Sequence, residues 1–162
     1  MRTFLLAFVL VGMAWGQDDS VARNSLVGIK QLEVSVADLN QDIDADGLHV
    51  YDLRTDAELA LRKAGLRVIP DGETNVAQGW PMLQIDMISL PRGEDGLYTF
   101  SIRAEMRQAV SLTRPPERVV FATTWSTWYV GHVGKNNARD VRSSVLDLVN
   151  QFLNAWLAAN GK

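Results

Sequence analysis

Cysteine is missing from all 162 residues of this chain. Its absence excludes disulfide staples, thiolate metal sites, a cysteine nucleophile and a lipid-modified cysteine at an export cleavage site. Histidine is almost missing as well. His49 and His132 are the only imidazoles, and they do not form the His-x-x-x-His or His-Glu-x-x-His spacing that zinc requires. No Gly-x-Ser-x-Gly elbow presents a nucleophile, and no Gly-x-x-x-x-Gly-Lys run cradles a phosphate. An excess of positive charge is lacking too: 16 Lys and Arg against 19 Asp and Glu leave a net charge of −3. Nucleic-acid binding needs clustered cations to neutralise phosphates, so neither DNA nor RNA is expected as a partner.

What is present begins with a segment different in kind from the rest. Arg2 precedes an apolar run from Phe4 to Val11, and Ala14-Trp15-Gly16 places small residues where a signal peptidase reads. The run is shorter than the ~20 residues that span a bilayer. Residues 1–16 are therefore expected to be a cleaved export signal, 17–25 a flexible leader and 26–162 a single α/β domain. Removing Arg2 leaves 15 cationic against 19 acidic side chains, a net charge of −4. A periplasmic or secreted location follows, with no stable membrane insertion after cleavage. A chain of this length buries about 68–70% of its unfolded surface and needs no covalent staple.

Periodicity orders the domain. Leu32, Val34 and Val36 alternate with polar residues and predict a strand over Ile29–Val36. An acidic turn follows, Asp38 to Gly47. Its Asp42, Asp44, Asp46 and Gly47 form the opening half of a calcium loop, but Leu53 stands where the closing bidentate Glu belongs. Calcium on these three aspartates is one reading and a solvated acidic turn the other. Val50, Leu53, Ala57, Ala60, Leu61 and Ala64 make a helical stripe ended by Gly65, and Leu66–Ile69 is a short strand. Strand, helix and strand in this order imply a parallel pair.

Strands are next expected around Leu83–Met87, over Tyr98–Leu112 and from Val119 onward, with Gln108 breaking the alternation at a bulge. Simple alternation sets Val119, Phe121, Thr123, Trp125, Thr127 and Tyr129 on one face and Ser126, Trp128 and Val130 on the other. Asn137 is placed to cap a final helix whose Val141, Val145, Leu148, Val149, Phe152 and Trp156 share a side. The expected fold is α/β (α+β): one mixed sheet of about five strands in the order β-α-β-β-β-β-α, with two helices on one face.

Segments 61–68 (LRKAGLRV), 122–127 (ATTWST) and 131–142 (GHVGKNNARDVR) resemble those of a family of exported bacterial proteins of unknown function. The order of elements is similar to the amino-terminal domain of the translocation protein TolB, a resemblance that implies protein partners in the envelope. A candidate binding surface follows from Trp125, Trp128, Tyr129 and His132 together with Arg103 and Arg107, since exposed aromatics beside arginines favour docking. Its partner is expected to be a protein or cell-wall component. A hydrolase around His132, with Ser126 and Asp140 as companions, is the catalytic alternative.

Overall fold

The computed structural model describes residues 20–70, 72–91 and 93–161, so the export signal expected over 1–16 lies outside the described residues. Ten elements follow one another. They are α1 (Ser20–Asn24), β1 (Gln31–Val36), α2 (Gln41–Ala45), α3 (Val50–Lys63), β2 (Arg67–Ile69), β3 (Met82–Ser89), β4 (Leu97–Leu112), β5 (Arg118–Gly134), a 3-10 segment (Lys135–Asp140) and α4 (Val141–Ala159).

The strands form one sheet in the order β2-β1-β3-β4-β5. The central β1 runs parallel to both β2 and β3, while β4 and β5 add antiparallel hairpin pairings. Parallel strands need a crossover, and α3 supplies it. Leu53, Ala57 and Leu61 of α3 are fully buried, and the helix ends where Gly65 takes φ +92, a left-handed conformation that glycine adopts at little cost. The expected mixed sheet of five strands, with two long helices on one face, is the fold observed.

One core lies between sheet and helices. From the sheet it takes Leu32, Val34, Leu83, Ile85, Ile102 and Met106, and from α4 Val145, Leu148, Phe152 and Trp156. Arg142 of α4 clamps the two long helices, its Nε and Nη2 donating to the Asp56 carboxylate at 2.8 and 2.9 Å. That hydrogen bond, aided by the charges of Asp56 and Asp52, raises the Arg142 pKa. The guanidinium is 38% exposed, so solvent screens much of the attraction. Arg142→Ala is expected to lower stability by about 1 kcal/mol, read as a small shift in denaturant midpoint at unchanged slope.

Several local expectations are corrected. Within the expected leader Ser20–Asn24 is helical, with Ala22 buried in the core. The acidic turn holds a short helix, α2, whose first turn is capped by the Asn40 side chain accepting from the Asp42 amide. Asn137 is no cap: it sits inside the 3-10 segment at φ −117, and the α-helix begins at Val141. A bulge does occur beside Gln108, but the extra residue is Thr124 of β5, because Met106 pairs with Trp125 and Arg107 with Thr123. Gln108 therefore stays on the helix side, where its amide donates to Thr124 Oγ1 at 2.7 Å and to the Ser25 carbonyl at 3.1 Å.

Candidate docking surface on the open face of the sheet

The bulge decides which side chains share a face. Doubling up at Thr124 and Trp125 reverses the alternation, so Phe121 and Thr123 join Ser126, Trp128, Val130 and His132 on the side away from the helices. The simple alternation placing Val119 to Tyr129 together is thus overturned. Trp125, Thr127 and Tyr129 remain beneath α4 and the neighbouring core. Trp125 is 1% exposed and meets Phe152 edge-on at 5.5 Å between ring centroids. Tyr129 is half-buried against Phe100. Gly131 gives that ring its room, since a Cβ there would stand 2.7 Å from Tyr129 Cε1.

No long helix covers the opposite face among the described residues. Register stacks its side chains in transverse rows: Ile88, Ser101 and Val130; Asp86, Arg103 and Trp128; Gln84, Glu105 and Ser126. Trp128 is 40% exposed and Ile88 72%. Arg103 lies between an acid and an indole, with Nη1 3.4 Å from Glu105 Oε1. Asp86 accepts both contacts of the Gln84 amide, at 2.9 and 3.0 Å. A cleft of about 330 Å³ adjoins the middle rows, bounded by Asp38, Asp86, Ile88, Ser101 and Arg103. A larger one, about 620 Å³, lies at the other end of β1 between Gly28 and Gly79 and has Lys30 as its only charged wall residue among the described residues.

The six expected binding residues divide. Trp128, Arg103, Arg107 and His132 share the open face; Trp125 and Tyr129 do not reach it. Arg107 is already engaged, donating to Gln84 Oε1 at 2.7 Å with its guanidinium 5.1 Å from the Phe121 ring centroid. His132 sits at the end of the row, its Nδ1 3.0 Å from Thr99 Oγ1. Asp86, Ile88 and Val130 belong to the surface as well, and sequence reading did not single them out. Their alternation marked them as lying off the core set, but only strand order puts β3 within reach of β5 through β4.

Among the described residues, the expected Ser126, His132 and Asp140 group and the three-aspartate calcium loop are not assembled. Ser126 and His132 are six residues apart on one extended strand, roughly 20 Å at 3.3 Å per residue, too far for proton transfer. Among the acidic residues, Asp44 faces His49 Nδ1 at 3.0 Å and Asp46 accepts from the Tyr98 hydroxyl at 2.6 Å. Asp42 and Asp44 stand on helical backbone rather than in a calcium loop. Among the described residues no group of three or more His, Asp or Glu side chains is placed to hold a metal.

No family model matches the chain, and no curated protein matches it. Solved structures do. PelC from Paraburkholderia phytofirmans, a dodecamer, is 18% identical over 90% of this chain and 96% of its own, with a TM-score of 0.50. A minor lipoprotein from Acinetobacter baumannii is 12% identical over 82% and 93%, TM-score 0.38. The rare lipoprotein B of Shewanella oneidensis is 15% identical over 80% and 92%, TM-score 0.31. The likeness to PelC supports the fold; the other two are too loose to carry an argument. None of the three adds support to the TolB analogy. No helix among the described residues is long and apolar enough to cross a membrane.

Proposed function

We propose that this chain is an exported, non-catalytic module of the bacterial envelope that docks a protein partner on the open face of its sheet. The observation that carries the reading is the row Asp86, Arg103 and Trp128, an indole and a guanidinium side by side on a sheet face that no long helix covers among the described residues. Tryptophan and arginine are the residues that most often dominate binding energy at protein interfaces. Ile88 and Val130 extend the apolar area beside them, and Glu105, Asp86 and His132 give it a polar rim. Export rests on the charged, apolar and small-residue order of Met1 to Gly16. The similar PelC is a dodecamer, and a face shaped for protein contact suits a subunit of an assembly.

Retention of a protein from periplasmic extract by the immobilised chain tests the proposal. Trp128→Ala is expected to keep the fold and weaken retention about 30-fold, the effect of losing a ~2 kcal/mol hot spot. Equal retention by the variant and the parent chain overturns it. Retention of purified peptidoglycan, with no protein retained, would replace the protein partner by a cell-wall one.

A further inference from the structure

The long hairpin carries a second feature, distinct from the open face. β5 ends the sheet, with no strand on its outer side among the described residues. From Val119 to Gly134 it holds no Lys, Arg, Asp or Glu. Exposed edges are ordinarily blunted by charge, by proline or by shortness, because every second residue points an unpaired N–H and C=O outward. The 17-residue β5 carries no proline and one charge, Arg118 at its first position, and its other guard is the bulge at Thr124. Ahead of the bulge Val119, Val120 and Phe121 are 66, 37 and 42% exposed, so both faces of the strand meet solvent there. Three consecutive apolar residues bare on both faces, beside an unpaired backbone edge, form a template for another strand.

We infer that the Arg118–Thr123 half of β5 pairs antiparallel with the same half of a second copy of this chain, joining two five-stranded sheets across a two-fold axis. The other edge explains why like pairs with like. β2 has only three residues, exposes the charged Arg67 and is followed by Pro70, so it offers β5 too little backbone to pair with. A self-complementary contact of β5 on β5 satisfies both edges and closes at two copies. It also covers Val119 to Phe121 on each chain. The pairing uses main-chain groups at the strand's start and leaves the Trp128 row free, so it is independent of the docking proposal.

Light scattering on chromatographed protein over a range of concentrations tests it. The parent chain is expected to saturate at twice the monomer mass. Val119→Lys with Val120→Lys, at two exposed positions that tolerate lysine in the monomer, is expected to weaken association more than tenfold by setting like charges across the pair. Trp128→Ala is expected to leave the mass unchanged. A parent chain that stays monomeric overturns the inference. So does association that survives both lysines in a variant whose melting temperature matches the parent, or growth beyond two copies without saturation.

Discussion

Trp156→Ala lowers stability by about 5 kcal/mol, the largest single-residue effect expected here, and shifts the thermal midpoint by roughly 15 °C. Two losses combine. The indole is 1% exposed within the core, and truncating a buried tryptophan to alanine costs about 3–5 kcal/mol in lost transfer energy and residual cavity. Its Nε1 also donates to the Ile29 carbonyl at 2.9 Å, tying the last turn of α4 to the chain entering β1. Deleting the donor strands a buried carbonyl at a cost of about 1–3 kcal/mol. Trp156→Phe separates the two terms, since it keeps most of the ring and removes the donor; about 2 kcal/mol is expected. Denaturant unfolding at constant slope measures both variants, and a phenylalanine variant as stable as the parent would show that the hydrogen bond contributes nothing.

Trp125→Ala is expected to cost about 4 kcal/mol by the cavity term alone. Its environment differs in one respect. The indole is equally buried and packs on Phe152, but its Nε1 has no hydrogen-bond partner among the described residues. A buried donor without an acceptor already carries a desolvation cost in the parent chain, so Trp125→Phe relieves part of what the smaller ring loses and costs about 1 kcal/mol or less. The order expected is therefore that Trp156→Phe is worse than Trp125→Phe, although the two tryptophans are equally buried. The reverse order in a chemical melt would contradict the assignment. These stability effects also set Trp125 apart from Trp128. Trp125→Ala is expected to destabilise the fold by about 4 kcal/mol, whereas Trp128→Ala is expected to leave it folded and, under the docking proposal, to weaken retention of a partner.

Much of the fold was legible along the chain because strand and helix periods are local. Leu32, Val34 and Val36 two residues apart, or Leu53, Ala57 and Leu61 four apart, report the face that must be buried whatever lies opposite. The errors arose where a short-range rule met a tertiary demand. Asn137 has the chemistry of a cap, yet the chain leaving β5 turns through a 3-10 segment that buries Ala138 before α4 begins. Gln108 looked like the odd residue in β4, and the irregularity is real, but the inserted residue lies across the pair at Thr124. A bulge depends on which residues of two strands oppose each other, and no single strand encodes that. The candidate site shifted for the same reason: one extra residue carried Phe121 over to the open face and left Trp125 beneath α4.

By itself, then, the sequence determined the five strands and the two long helices, the want of cysteine chemistry, the acidic balance and the aromatic richness of 119–134. Tertiary structure alone decided that the sheet runs β2-β1-β3-β4-β5, that the extra residue of the bulge is Thr124, and that Asp86, Arg103 and Trp128 meet in a row. The physical reason is range. Side-chain alternation is set by neighbours two residues apart, whereas strand order, edge exposure and the covering of a face depend on pairings between residues tens of positions apart along the chain.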